Sequence, residues 1–372
     1  MTMCPPRRAR YAGCPILREQ TVMIDEGDGT GGGGRIGWVG RPTVIDCDPG
    51  IDDAVALLVA LAEPGLDLVG VTTVGGNVGV AQTTRNALAV LTLAGRADVP
   101  VAAGADRPLV RAPARRAEHV HGADGIGGVP LPEPAAGPVD APAVEFLAEA
   151  VRRSTAPVTL VATGPLTNVA LFYAVYPALA ARLDRLVWMG GAVCGGNRTP
   201  AAEFNAWFDP EAAYRVLTEP DLPRAVPATM VGLDVTLPTA LDLDDLRRMR
   251  GSGPIGAAMA DALQMYLASY RALLGREAVP VHDAVAVLAA ARPDLVRTAP
   301  AYLAVDTGYG PHRGGTLADL HAISGRPPTV HIGLDADVPA VIAAVLAGVT
   351  AADRPVGFPH PTGRPADGTP PG

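Results

Sequence analysis

Short apolar runs, rich in valine and leucine, alternate along the chain with longer runs that are typical of helices. In most of the short runs the apolar residues are consecutive, which predicts strands. Eight such runs fall at 43–46, 66–74, 99–104, 158–163, 185–191, 228–235, 300–306 and 328–335. The helical runs between the first six strands cover 53–62, 80–95, 144–154, 166–176 and 210–219.

Strands and helices in this order predict an α/β fold with a Rossmann-like, mostly parallel sheet. Strands made of consecutive apolar residues indicate that helices cover both faces of the sheet. Ligands of such sheets bind beyond the carboxyl ends of the strands. The polar residues that follow the predicted strands are therefore the first candidates for a functional site.

Polar residues do cluster at these positions. Five segments place them at one predicted edge: DCDPGIDD at 46–53, GGN at 75–77, ATGPLTN at 162–168, GGN and EFNAWFDP between 195 and 210, and HDAVAV at 282–287. The segments lie far apart in sequence, so the sheet itself must bring them together.

Composition limits the class of partner. The chain has 372 residues, with 30 lysine and arginine residues against 38 aspartate and glutamate residues, and its formal net charge is −8. This charge disfavours a nucleic acid polymer, whose binding depends on concentrated positive charge. No apolar run reaches the roughly 20 residues that cross a bilayer, so we expect no membrane partner. Four cysteines without a CxxC pair predict a reduced, cytoplasmic protein.

Asp46, Asp48, Asp52 and Asp53 fall within eight positions, between apolar runs. Carboxylates this close repel one another when they are buried. A helix N-terminus stabilises an anion by only about 0.3–1 kcal/mol, whereas carboxylate oxygens hold hard cations such as Ca²⁺ or Mg²⁺. We therefore predict a bound cation, with Ca²⁺ favoured, and a structural, helix-capping role for Asp46.

A phosphatase site of the DxD type is the competing interpretation of this cluster. The tight turn at Pro49-Gly50 and the immediate Asp52-Asp53 pair do not favour it, and the sequence contains no GxxxxGK[ST] motif.

Two further segments add polar groups. Asp283 could complete the oxygen ligands of the cation, and the adjacent His282 is either catalytic or structural. Asn197, Glu203 and Asn205 offer amides and a carboxylate. An amide both donates and accepts hydrogen bonds, as a polyhydroxylated ligand requires, although asparagine is also common in turns.

Together, the motifs DCDPGIDDAVAL, VGGN, HGADGIGG, ATGPLTN, MGG…GN…AEFNAWFDPEAA and HDAVAV resemble the inosine–uridine-type nucleoside hydrolase family over about residues 42–335. The resemblance implies the nucleoside hydrolase fold, a small-molecule ribonucleoside substrate, and hydrolysis of its N-glycosidic bond to ribose and a free base. It also implies a bound Ca²⁺ and a homodimer or homotetramer.

The resemblance implies roles for individual residues. The metal ligands would be the carboxylates of Asp48, Asp53 and Asp283 and the backbone carbonyl of Thr163. Asp48 would also be the base that activates a metal-bound water, and His282 would assist departure of the nucleobase. Substrate contacts would come from Asp52, Asn77, His121, Met189, Asn197, Glu203, Asn205, Tyr266, Tyr270 and His282.

Some of these assignments have alternatives. Tyr266 and Tyr270 form an i, i+4 pair that could equally face the core, and His119 is a less favoured candidate than His121. The family's activity could also be directed at a modified N-riboside. A non-catalytic nucleoside- or ribose-binding protein on the same scaffold is the remaining alternative. Neither purine nor pyrimidine preference follows from the sequence.

The predicted organisation is a single nucleoside hydrolase catalytic domain at residues 39–356. Residues 1–38 are expected to form a disordered N-terminal extension, because their glycine-rich end is typical of linkers. Residues 357–372, rich in proline and glycine, are expected to form a disordered tail.

Overall fold

The computed structural model describes residues 40–111, 116–219 and 222–353. The predicted N-terminal extension at 1–38 and the predicted tail at 357–372 lie outside the described residues. Within the described ranges, every helix is too short or too polar to span a bilayer.

Eleven strands occur in the described part of the chain. They are β1 (Arg41–Cys47), β2 (Leu66–Thr73), β3 (Val101–Ala103), β4 (Thr159–Ala162), β5 (Arg185–Met189), β6 (Ala228–Val231), β7 (Ala240–Leu241), β8 (Val279–Pro280), β9 (Val296–Val305), β10 (Thr316–Asp319) and β11 (Val330–Ala336).

Thirteen α-helices accompany the strands in the same ranges. They are α1 (Ile51–Ala62), α2 (Val80–Leu93), α3 (Glu118–His121), α4 (Ala143–Arg153), α5 (Thr167–Val175), α6 (Pro177–Ala180), α7 (Phe204–Phe208), α8 (Pro210–Ala213), α9 (Leu233–Thr236), α10 (Leu243–Arg250), α11 (Pro254–Leu274), α12 (His282–Ala291) and α13 (Val338–Ala352). A π-helical turn (Tyr214–Thr218) follows α8, and a 3₁₀ turn (Pro293–Leu295) follows α12.

Nine of the strands form one sheet in the order β10-β9-β11-β6-β5-β4-β1-β2-β3. The seven strands from β11 to β3 run parallel, whereas β9 is antiparallel to both β11 and β10. The strands β7 and β8 form a separate antiparallel pair. The prediction of an α/β fold with a mostly parallel sheet and surrounding helices is confirmed.

Two predicted elements differ from the structure, and the strands β7, β8 and β10 were not predicted. The strand predicted at 228–235 ends at Val231, and the chain then turns into α9. The turn forms because Gly232 lies against the backbone of Gly191, whose carbonyl oxygen accepts a hydrogen bond from the Leu233 amide at 3.0 Å. The helix predicted at 210–219 divides into α8 and the π-helical turn. The strand β10 lies between the predicted strands at 300–306 and 328–335, where no strand was predicted.

Helix α1 is buried on all sides and begins beyond the carboxyl end of β1, an interior strand of the sheet. Eleven of its twelve residues are buried. It packs against α12 and α13, and Gly348 of α13 comes so close that a Cβ there would lie 3.0 Å from the Val59 Cα. An apolar sequence therefore suits every face of α1, and its only charged residues, Asp52 and Asp53, lie in the first turn.

Candidate active site

Four buried carboxylates meet at the carboxyl edge of the sheet. Asp48 follows β1, Asp52 and Asp53 lie in the first turn of α1, and Asp283 lies in the first turn of α12. Carboxylate oxygens of Asp52, Asp53 and Asp283 all lie within 4.8 Å of one another. These three residues have the spacing of metal ligands. Asp52 was predicted only as a ribose contact, and Asp48, a predicted metal ligand, is not in this group of three.

Asp48 is held by one carboxylate oxygen. Its Oδ2 accepts a hydrogen bond from the Asn77 backbone amide at 2.7 Å, whereas its buried Oδ1 has no hydrogen-bond partner in the described structure. A Cβ at Gly76 would lie 2.1 Å from Oδ2, and one at Gly164 would lie 2.7 Å from Oδ1. The two glycines therefore leave the space that this carboxylate occupies.

Asn77 and Thr163 connect the aspartates. The Asn77 side-chain amide donates to the Asp48 carbonyl at 3.2 Å and to Asp53 Oδ2 at 3.4 Å. The Thr163 hydroxyl donates to Asp53 Oδ1 at 2.7 Å, and its backbone carbonyl accepts a hydrogen bond from Asn205 at 2.8 Å. Residues that follow β1, β2 and β4 thus converge on one group of oxygens.

Burial disfavours the ionised forms of these carboxylates. It raises the pKa of Asp52 to about 8, with a further contribution from the charge of Asp53. Burial and the charge of Asp53 raise the pKa of Asp48, and burial and the charge of Asp52 raise that of Asp283. The pKa of Asp53 is also raised by burial, although a hydrogen bond from Gly50 opposes the rise. A set of hard oxygen ligands with an unpartnered buried carboxylate oxygen beside it fits a cation such as Ca²⁺ or Mg²⁺.

The structure brings the predicted site residues around a cavity of about 350 Å³. Every residue predicted for the site lines it except Asp53, which joins the cluster through Asn77 and Thr163. The lining residues are Asp48, Asp52, Asn77, Ala117, His119, Val120, His121, Thr163, Met189, Asn197, Arg198, Glu203, Phe204, Asn205, Tyr266, Tyr270, His282 and Asp283. Sequence reasoning missed Ala117, Val120, Arg198 and Phe204. The last three are adjacent in sequence to predicted residues, whereas the Ala117 amide donates to the carbonyl of the predicted Asn77 at 3.0 Å.

Glu203 organises the loop after β5. It caps α7 by accepting hydrogen bonds from the backbone amides of Asn205 and Ala206, and its Oε2 also accepts one from Gly191 at 2.9 Å. Burial raises the pKa of Glu203 to about 7, even though these hydrogen bonds favour its ionised form. The Asn205 side-chain amide donates to the carbonyls of Thr163 and Met189 at 2.8 and 3.0 Å.

Four ring side chains form another part of the cavity. The rings of His121 and Tyr266 lie 4.9 Å apart, and those of Tyr266 and Tyr270 lie 4.9 Å apart in an edge-to-face arrangement. The Tyr270 hydroxyl lies 2.7 Å from His282 Nε2, and His282 Nδ1 lies 2.7 Å from the Thr236 hydroxyl. Both tyrosines are also buried, so the pair packs in the core and lines the cavity at once.

Both buried histidines are neutral near pH 7. Burial lowers the pKa of His282 to about 3, assisted by the positive charge of Arg276. Burial also lowers the pKa of His121 to about 3, assisted by His119. The Nδ1 atom of His121 accepts a hydrogen bond from the Ile51 amide at 3.2 Å, which fixes its ring above the start of α1.

The sequence matches a family model described as inosine-uridine preferring nucleoside hydrolase over residues 43–343. The pyrimidine-specific ribonucleoside hydrolase RihA of Escherichia coli O139:H28 is 40% identical over 298 residues, which cover 80% of this chain and 94% of that protein. The structure of a purine-preferring ribonucleoside hydrolase from Gardnerella vaginalis aligns with a TM-score of 0.78 and 31% identity, over 84% of this chain and 99% of that one. A plant nucleoside hydrolase structure aligns with a TM-score of 0.77 and 33% identity, over 83% and 99% of the two chains.

Proposed function

This chain belongs to the inosine-uridine preferring nucleoside hydrolase family, and on that premise we propose that it hydrolyses the N-glycosidic bond of ribonucleosides to ribose and a free base. One observation carries the proposal: a single cavity combines the buried carboxylates Asp48, Asp52 and Asp283 with the rings of Tyr266 and Tyr270. Carboxylates suit a polyhydroxylated sugar, and aromatic rings suit a nucleobase.

The cation would be held by Asp52, Asp53 and Asp283, with Asp48 and the Thr163 carbonyl as the further ligands that the family resemblance implies. When bound, Ca²⁺ would lower the pKa of a water molecule and hold that water beside the sugar. The close approach of three buried carboxylates supports this assignment, because they cannot all ionise without a compensating positive charge.

Asp48 is the proposed general base. Its Oδ2 is fixed by the Asn77 amide, so Oδ1 is the atom that can take a proton from the attacking water. Burial and the charge of Asp53 raise the pKa of Asp48, so the positive charge of the bound cation would keep this carboxylate ionised and able to accept that proton.

The ribose would be oriented by Asp52, Asn77, Asn197, Glu203 and Asn205. The Asn205 side-chain nitrogen already donates to two backbone carbonyls, so its oxygen is the atom available to a ribose hydroxyl. The bond to the base breaks with positive charge developing on the sugar ring, and nearby carboxylates stabilise that charge.

The departing base must gain a proton. We assign this step to the hydrogen-bonded pair of Tyr270 and His282, whose atoms lie 2.7 Å apart in the cavity. Burial lowers the pKa of His282 to about 3, so the residue is neutral near pH 7. The proton that this pair passes to the base would come from solvent, and the proton taken up by Asp48 would return to solvent. His121 and Tyr266 would contact the face of the base.

The test is ribose release from uridine, cytidine, inosine and adenosine by the purified protein with Ca²⁺. We expect turnover of at least one nucleoside, and no release from any of them would refute the proposal. Binding without turnover would support a non-catalytic nucleoside- or ribose-binding protein. Turnover of unusual N-ribosides alone would support a hydrolase of a modified N-riboside.

For the substrate, we infer a preference for pyrimidine nucleosides. The support is the 40% identity to a protein named as pyrimidine-specific, compared with 31% to one named as purine-preferring. We expect kcat/KM for uridine or cytidine to exceed that for inosine by about tenfold or more. An equal or reversed ratio would contradict this preference.

We also propose a homodimer or homotetramer that acts in the cytoplasm. Light scattering coupled to size-exclusion chromatography measures the assembly directly, and a monomeric mass would contradict it.

A further inference from the structure

Two loops bring Asn77 and His121 to the cavity. The first joins β2 to α2, and the second leads into the short helix α3. One backbone hydrogen bond joins the loops directly, from the Ala117 amide to the Asn77 carbonyl at 3.0 Å. Because the Asn77 amide also donates to Asp48, the position of this loop affects the proposed base.

Arg116 and Asp106 hold these loops together. Arg116 NH1 donates to the Val78 carbonyl, and its NH2 donates to the Asp106 carbonyl at 3.2 Å and to Asp106 Oδ1 at 2.9 Å. The same Oδ1 accepts a hydrogen bond from the Val80 amide, at the start of α2, at 2.8 Å. One guanidinium and one carboxylate thus connect three separate segments.

Gly75 permits this close approach. A Cβ at Gly75 would lie 2.7 Å from the Asp106 carbonyl oxygen, 2.8 Å from its Oδ1 and 3.0 Å from Arg116 NH1. The Gly75 amide itself donates to the Ala105 carbonyl at 2.8 Å. The contact therefore includes the backbone beside the cavity; the Arg116 side chain is 17% exposed and that of Asp106 is 49% exposed.

We propose that Arg116, oriented by Asp106, is a positioning residue: it fixes Asn77 against Asp48 and holds the segment from Ala117 to His121 beside the cavity. The activity measurement for this inference rests on the proposed function, whereas its hydrogen-exchange measurement does not. The planar guanidinium of Arg116 is suited to this role, because it can donate hydrogen bonds to two carbonyls and a carboxylate at the same time.

The first measurement is kcat/KM on the best nucleoside. We expect Arg116→Ala to lower it by about 10- to 100-fold, the usual range for partners that orient a metal site or a catalytic group. Arg116→Lys keeps the charge without the fork and should restore only part of the loss. The double variant with Asp106→Ala should lose less activity than the product of the two single losses, because the two residues share a hydrogen bond.

Arg85→Ala is the matched control. Arg85 lies on α2 and pairs with Glu133, but the two side chains are 50% and 82% exposed. This control should leave kcat/KM unchanged.

The second measurement is amide hydrogen exchange in peptides that contain Asn77, Val80 and Ala117. Exchange there should be faster in Arg116→Ala than in the wild type or Arg85→Ala, with the central strands unchanged.

If the wild type proves inactive, the exchange result alone decides the inference, and the proposed function fails separately. With an active wild type, unchanged kcat/KM in Arg116→Ala overturns the inference. Faster exchange throughout the sheet of Arg116→Ala also overturns the inference. If Arg116→Ala does not fold, both measurements are made on Arg116→Lys instead.

Discussion

At the scale of single residues, the two oxygens of Asp48 have different surroundings. Oδ2 is fixed by the Asn77 amide, whereas the buried Oδ1 has no hydrogen-bond partner in the ranges that the structure covers. A group that is oriented through one atom and open at the other can accept a proton without losing its position.

Asp48→Asn should abolish most of the turnover while keeping the fold. Asparagine has nearly the same shape and can still accept the Asn77 hydrogen bond, but it cannot take up a proton. We expect kcat to fall by about 10²–10⁴-fold, the usual contribution of general base catalysis. Without Ca²⁺, the thermal unfolding midpoint should stay close to that of the wild type. Retention of more than a tenth of the wild-type kcat would exclude Asp48 as the base.

Glu203 should contribute to the pH dependence of catalysis. Its pKa is raised to about 7 by burial, and only the ionised form stabilises positive charge on the sugar. The ionised fraction grows as the pH rises through 7, so kcat/KM should fall on the acid side of that value. Profiles from about pH 5 to pH 9 should show this acid limb in the wild type. Glu203→Gln should be slower and less pH-dependent near pH 7, and an identical limb in the variant would contradict the assignment.

The residue types at the site were predictable because their motifs are short polar segments that directly follow or precede apolar runs. Their grouping was harder to predict. Asp52 joins the metal-type cluster because the first turn of α1 directs it towards Asp283, a residue that α12 supplies from 231 positions further along the chain. The tyrosines on α11 could be assigned to the core or to the cavity, and a helix that packs beside a cavity satisfies both assignments.

At the scale of elements, the parallel strands were predictable because most of them contain runs of consecutive apolar residues. The strands β7 and β8 contain two residues each, too few to show any periodicity. Gly232 ended a predicted strand early through a contact with Gly191, which lies 41 positions away in the chain. Local patterns do not contain such tertiary contacts.

Leu58→Ala should destabilise the fold strongly. Leu58 is fully buried at the centre of α1, and neighbouring helices surround α1. The cavity left by a smaller side chain therefore cannot be filled by solvent or by a shift of the helix. Large-to-small changes of this kind cost about 2–5 kcal/mol of unfolding free energy. Leu317→Ala is the control, because Leu317 on β10 is 60% exposed and its loss should cost less than about 0.5 kcal/mol. Urea unfolding measures both, and equal losses would contradict the central role of α1.

At the scale of the whole molecule, the site is a meeting point of distant segments. Residues after β1, β2, β4 and β5 and at the start of α12 all contribute carboxylates, amides or carbonyls. Their charges repel, so the folded state bears an electrostatic cost that a cation would offset.

Ca²⁺ should therefore raise the thermal unfolding midpoint, and chelation should lower it. A ligand at a hundred times its dissociation constant stabilises a fold by about 2.7 kcal/mol. Asp283→Asn removes one carboxylate of the cluster and should reduce this Ca²⁺-dependent shift. Scanning calorimetry with Ca²⁺ and with a chelator measures the effect, and equal midpoints under both conditions would exclude a stabilising calcium site.

The complete burial of α1 also bears on how the enzyme can diversify. A helix without a solvent face has almost no position at which a substitution is neutral. The sequence from Ile51 to Leu61 can therefore change little without loss of stability. The ring side chains Tyr266 and Tyr270 lie on α11, which also has exposed positions such as Gln264. Under the proposed contact of Tyr266 with the nucleobase, substitutions on α11 would change the nucleobase preference while the carboxylates of α1 remain in place.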